Sequence, residues 1–130
     1  MTFNDKLEDT KRYYPFTKWR ESFFPDPEDD DLGGMEQYTE ENCNAAKSIF
    51  DDLITGLKSI GESAAPQAKV EMFKLAVEKL NELDEEVDDL IETGEREDLC
   101  ELIDQITIAA GLNPQDYADG EGLADEWRNW

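Results

Sequence analysis

Histidine is absent from this 130-residue chain, and cations are scarce: 12 Lys and Arg stand against 34 Asp and Glu. Without imidazole there is no Ser-His or Cys-His nucleophile pair, and no side chain whose ordinary pKa lies near neutrality to shuttle protons. Two cysteines without histidine fall short of the four ligands of a structural zinc site. The Glu-x-x-His pairs of a di-metal carboxylate bundle are missing for the same reason. Neither a Walker phosphate loop nor the dinucleotide-binding glycine fingerprint occurs. With 34 carboxylates some pair always lies near another, so proximity alone says nothing of acid–base catalysis. The expectation is a chain that is not an enzyme and carries neither cofactor nor metal.

Long apolar runs are missing too. No stretch approaches the ~20 residues of a membrane span, and the opening Met-Thr-Phe-Asn-Asp-Lys lacks the charged, apolar, small-residue order of a secretory signal. A cytoplasmic location is expected, and with it Cys43 and Cys100 as buried thiols rather than a bridge. No segment alternates with period two and no βαβ pattern appears, which leaves helices as the building blocks.

What the chain has in excess is negative charge. Its formal net charge is −22, whereas solubility of a small domain needs a magnitude of roughly 2–8. The excess is uneven. Residues 1–20 hold five bases (Lys6, Lys11, Arg12, Lys18, Arg20) against three acids, a balance of +2; residues 21–130 hold seven against 31, a balance of −24. Such self-repulsion costs folding free energy, and a basic partner offsets it. Mild acid and added salt are expected to stabilise the fold, by protonating or screening crowded carboxylates.

One domain, 1–130, is expected. Residues 1–38 read as an irregular, aromatic-rich arm, with Tyr14-Pro15 and Phe24-Pro25-Asp26-Pro27 forcing extended or turn backbone. A short helix from Lys6 to Arg12 is the one regular piece expected in it. The first long helix runs from Glu40 to Ile60, capped by Thr39, with Cys43, Ala46, Phe50, Leu53 and Leu57 on one face. The second runs from Pro66 to Glu92 and buries Phe73, Val77, Leu80 and Leu83, ending at Thr93-Gly94. The third, Glu95 to Ala110, buries Leu99, Leu102, Ile103 and Ile106, and Gly111 closes it. The fold class expected is all-α: an antiparallel three-helix bundle (39–112), wrapped by the arm and closed by a short helical tail (113–130).

Two acidic segments invite functional readings. Asp29, Asp31, Gly34 and Glu40 fall at positions 1, 3, 6 and 12 of an EF-hand-like loop. Pro25 and Pro27 obstruct the incoming helix and Gly33 offers no side-chain ligand, so a solvated loop is the expectation. From Glu82 to Asp104 there are twelve acids and one base, Arg96. Helix surfaces ordinarily interleave Lys with Glu and gain about 0.2–0.5 kcal/mol per i,i+4 pair; this segment forgoes nearly all of that. Its expected partner-binding residues are Glu82, Glu85, Glu86, Asp88 and Asp89, then Glu92, Glu95, Glu97, Asp98 and Glu101. Trp127 and Trp130 are expected to anchor the partner or to seal the bundle end.

Leu75-Ala76-Val77-Glu78-Lys79-Leu80-Asn81-Glu82-Leu83-Asp84-Glu85-Glu86, Ile91-Glu92-Thr93, Ala109-Ala110-Gly111-Leu112 and the closing Arg128-Asn129-Trp130, with Tyr14-Pro15 upstream, carry a resemblance over about half the chain. In these pieces it resembles small acidic all-helical bacterial proteins of uncharacterised function, some of which act as immunity proteins that neutralise a toxin. The resemblance implies a non-enzymatic immunity or inhibitor protein that occludes a basic toxin; no functional residue carries over from it. The alternatives are a DNA mimic that binds a nucleic-acid-binding protein, and a calcium-responsive helical module. The protein is expected as a monomer or homodimer. Direct contact with nucleic acid or an anionic membrane is not expected, because both carry the same sign of charge.

Overall fold

The computed structural model of the protein describes residues 2–16, 40–86, 91 and 93–130. These residues are mostly helical and contain no strand, which establishes the all-α class. The α-helices are α1 (Phe3–Asp9), α2 (Glu40–Ile60), α3 (Pro66–Glu86), α4 (Thr93–Ala109) and α5 (Ala124–Trp127). Short 3-10 turns follow α1 (Thr10–Tyr13) and α4 (Pro114–Asp116 and Ala118–Gly120). No helix among the described residues is long and apolar enough to cross a membrane.

The arm is not irregular from its start. Thr2 and Asp5 form a capping box, Thr2 Oγ1 accepting from Asp5 N–H at 3.1 Å while Asp5 accepts from Thr2 N–H at 3.3 Å. That pair starts the helix at Phe3, ahead of the expected Lys6, and the Thr10 hydroxyl closes it by donating to the Leu7 carbonyl at 2.6 Å. Leu7 is fully buried. Tyr14, Phe16 and Phe50 then stack, with ring centroids 5.4 Å apart for Tyr14–Phe16 and 5.9 Å for Phe16–Phe50. The Tyr14 hydroxyl donates to Asp51 at 2.9 Å, which fixes this segment to α2. Burial, reinforced by that hydrogen bond, pushes the Tyr14 phenol far up, so it stays protonated. Thr39 and residues 17–38 lie outside the described residues.

The core gathers one face of each long helix: Cys43, Ala46, Phe50, Leu53, Ile54 and Leu57 of α2, Phe73, Ala76, Val77 and Leu80 of α3, and Leu99, Leu102, Ile103 and Ile106 of α4. Each Leu, Ile or Phe fully buried this way contributes about 1.5–3 kcal/mol. The most extensive pairing is between α2 and α3, whereas α4 approaches the Thr10–Tyr13 turn and α1. Gly61 and Gly111 take φ of +85° and +86° where α2 and α4 end, a conformation that costs a side-chain-bearing residue free energy.

The second long helix does not reach the expected Glu92. α3 ends at Glu86, and Ile91 stands beyond it in a bend, its N–H donating to Asp84 Oδ1 at 3.0 Å. The last turn of α3 carries Glu85 and Glu86 and no base, the wrong sign for the negative end of a helix dipole. Thr93 and Gly94 open α4 rather than ending its predecessor.

One buried cation bolts the helix ends together. Lys69, only 5% exposed, donates from Nζ to the Glu62 carbonyl at 2.9 Å and the Ala110 carbonyl at 2.8 Å. Its ammonium also sits 5.2 Å from the centre of the Phe3 ring. Thus α1, the α2–α3 connection, α3 and the end of α4 meet at a single side chain.

Candidate partner-binding face

Glu82, Glu85 and Glu86 are exposed on the last turns of α3, and Glu97 and Glu101 are exposed on α4. None of these five carboxylates enters an ion pair among the described residues. The pairs that do form lie elsewhere: Glu8 with Lys11 and Lys58, Asp9 with Arg12, Asp51 with Lys47, Glu78 with Lys74, and Asp125 with Arg128. The paired cations Lys11, Arg12, Lys47, Lys58, Lys74 and Arg128 lie on the N-terminal segment, α2, α3 and the tail. Glu82, Glu85, Glu86, Glu97 and Glu101 are left outside these pairs.

Glu95 and Asp98 do not stand fully on the expected face, and Trp127 and Trp130 pack at the end of the fold, the second of their two expected roles. Glu95 is buried, 7% exposed, and is removed from any docking face because it lies on the inward side of α4 one turn before Leu99. Asp98 is half-buried and engaged within the fold. Trp130 is 8% exposed and belongs to the core, and Trp127 packs half-buried against it. Asn81 explains both: its amide donates to the Trp127 carbonyl at 2.9 Å and its oxygen accepts the Asn129 N–H at 2.9 Å, so α3 clamps the tail. Arg128 adds bonds to Asp125 and the Trp130 carbonyl and lies 5.7 Å from the centre of the Trp130 ring. Trp130 seals the fold, and Trp127 lies half-buried beside it. Asp88, Asp89 and Glu92 lie outside the described residues, as does most of the Asp29–Glu40 loop.

Among the described residues three large apolar side chains are exposed: Tyr13, Leu75 and Ile108. Ile108 follows Ile106 by two residues, which turns it away from the core stripe of Leu99, Leu102, Ile103 and Ile106. No group of His, Cys, Asp and Glu capable of holding a metal ion occurs among the described residues. Cys43 is buried and Cys100 half-buried, and neither is bridged. Burial pushes the Cys100 thiol up, which makes it a weak nucleophile at neutral pH.

Two carboxylates are moved in opposite directions. Hydrogen bonds from Lys58 and then Lys11 lower the pKa of Glu8, whose stabilising contribution is present above the ordinary Glu range and lost as pH falls through the lowered value. Burial, with Asp125 and Glu101 nearby, raises that of Asp104. The close packing is visible at Gly122, where a Cβ would lie 2.5 Å from Asp104 Oδ1. The folded protein holds the Asp104 proton more tightly than the unfolded chain does, so this site gains stability as pH falls through the raised value. Asp104→Asn is expected to be the more stable protein at pH 7 and to lose that advantage towards pH 4. Denaturant midpoints of the two proteins across this range measure it, and a gap that does not narrow counts against the assignment.

No family model matches this chain, and no curated protein or solved structure matches it.

Proposed function

We propose that this chain is a non-enzymatic binding protein that neutralises a basic protein, an immunity or inhibitor protein whose target is a cationic toxin such as a nuclease. The observation that carries this reading is the set Glu82, Glu85, Glu86, Glu97 and Glu101, exposed on α3 and α4 and outside every ion pair among the described residues. Like charges at i, i+3 and i+4 repel, and a cationic surface laid against them converts that repulsion into attraction. Encounter is steered by the field of the whole molecule and reaches on the order of 10⁸–10⁹ M⁻¹s⁻¹ at low salt. Against a nuclease, carboxylates at the ends of α3 and α4 stand in for phosphates.

The scaffold belongs to the same proposal. We read α2, α3 and α4 as an antiparallel three-helix bundle, a reading supported by the five-residue connection between α2 and α3 and by the shared core. The two unbridged thiols support a cytoplasmic setting.

The test is capture from an extract of the source cells by the full chain at ~50 mM salt. A basic protein held by the wild type, released at high salt and not held by the Glu82→Gln/Glu85→Gln/Glu97→Gln/Glu101→Gln variant supports the proposal. Capture of no basic protein, or equal capture by the variant, contradicts it.

A further inference from the structure

Charge steers a partner but does not by itself seat one, and α4 carries a feature suited to seating. Glu97, Glu101, Asp104 and Ile108 follow one another at i, i+4, i+7 and i+11, the spacing that puts four side chains on one face of a helix. Glu97 and Glu101 are exposed, Asp104 is half-buried and Ile108 is 57% exposed. The line spans about 16 Å. Ile108 stands between two open grooves. One, of about 300 Å³, it shares with Tyr13, itself 36% exposed; the other, of about 580 Å³, runs over Leu112 and Pro114. Two of the three large apolar side chains exposed among the described residues thus meet at the end of the acidic line. Leu75, the third, lies on α3.

We infer that this face of α4 receives a cationic helix of the partner protein, one that carries a bulky apolar side chain at one end. That side chain sits between Ile108 and Tyr13, and Lys or Arg residues four, seven and eleven positions away meet Asp104, Glu101 and Glu97. The inference deepens the proposed function and rests on it, since it names the kind of surface the acidic face accepts. Charge complementarity fixes the direction. Lys6 lines the Tyr13 groove and the Arg12 guanidinium lies 5.4 Å from the centre of the Tyr13 ring. Asp9 lines the same groove and pairs with Arg12, so this end carries little net charge, and the exposed carboxylates at the Glu97 end are the place for the basic end. Burying the apolar side chain adds affinity that charge pairs screened by salt do not.

The probes are two synthetic helical peptides of equal charge. Both carry lysine at the three stated spacings, and they differ only in leucine or glutamine at the anchor position. Titrated against the full chain at ~20 mM salt, the leucine peptide is expected to bind about tenfold more tightly, the affinity that roughly 60 Å² of buried apolar surface supplies. Ile108→Ser, an exposed position whose helicity is checked by circular dichroism, is expected to abolish the difference; Leu75→Ser is expected to preserve it. Glu97→Gln/Glu101→Gln weakens both peptides alike. Equal affinities on the wild type, or a preference lost with Leu75→Ser instead of Ile108→Ser, overturn the inference while leaving the proposed function standing. Binding of neither peptide overturns both.

Discussion

Replacing Lys69 by methionine is expected to cost about 2–4 kcal/mol of folding stability, the largest effect of any single charged residue in this protein. The stem of methionine fills much of the same space, so the loss falls on the polar end. Two hydrogen bonds from an ammonium, to the carbonyls of Glu62 and Ala110, disappear together with the contact to the Phe3 ring. A hydrogen bond to a charged group contributes about 1.5–3 kcal/mol, and the Ala110 carbonyl has little water to turn to because its residue is fully buried. Removing a cation from an already anionic protein adds repulsion of its own. Lys79→Met separates the two effects: it makes the same change in net charge at an exposed position, where about 0.5 kcal/mol or less is expected. Denaturant midpoints of the three proteins, at unchanged m-value, measure the difference. Equal midpoints for Lys69→Met and Lys79→Met would show that the bolt does not hold the helix ends.

The second large effect concerns binding rather than folding. Glu82→Gln/Glu85→Gln/Glu97→Gln/Glu101→Gln keeps the shape of four exposed side chains and removes four negative charges. Stability is expected to hold or rise, because charges that only repel one another contribute nothing favourable to the fold. Affinity for the cationic partner is expected to fall by about 30- to 1,000-fold at low salt, at roughly 0.5–1 kcal/mol for each of four charge pairs lost at a partly wet interface. The two readouts therefore move apart, and that divergence distinguishes a docking face from a structural one. A variant that unfolds more readily would mean that these carboxylates support the fold; a variant that binds as tightly would mean that the partner lands elsewhere.

Much of the fold was legible in the sequence because helix periodicity is a local signal. The apolar spacing from Cys43 to Leu57 marks α2, and Pro66, Gly61 and Gly111 mark helix boundaries by backbone chemistry alone. α1 was harder to see because its start depends on a capping box of two short polar side chains, Thr2 and Asp5, rather than on an apolar stripe. The reach of α3 was misjudged because the apolar periodicity runs on to Ile91, which stands in a bend, while the acids of the last turn oppose the helix dipole.

The candidate face was legible by composition but not residue by residue. Glu97 and Glu95 differ by two positions and share a residue type, yet one is exposed and the other buried, since a two-residue step turns a helix by more than half a revolution. The fate of Trp127 and Trp130 was set by Asn81, 46 to 49 positions away, a long-range contact with no sequence signature. Lys69 reads in the sequence like any helix lysine, and only tertiary packing brings it to two helix ends.

The most direct measurement is the affinity of the full chain for its captured basic partner as salt is raised from ~50 to ~500 mM, set beside that of the four-glutamine variant. If exposed carboxylates on α3 and α4 dock a cationic surface, wild-type affinity drops by more than about tenfold over this range and the variant starts weaker with a flatter dependence. Affinity that is insensitive to salt, and the same for both proteins, would contradict the account.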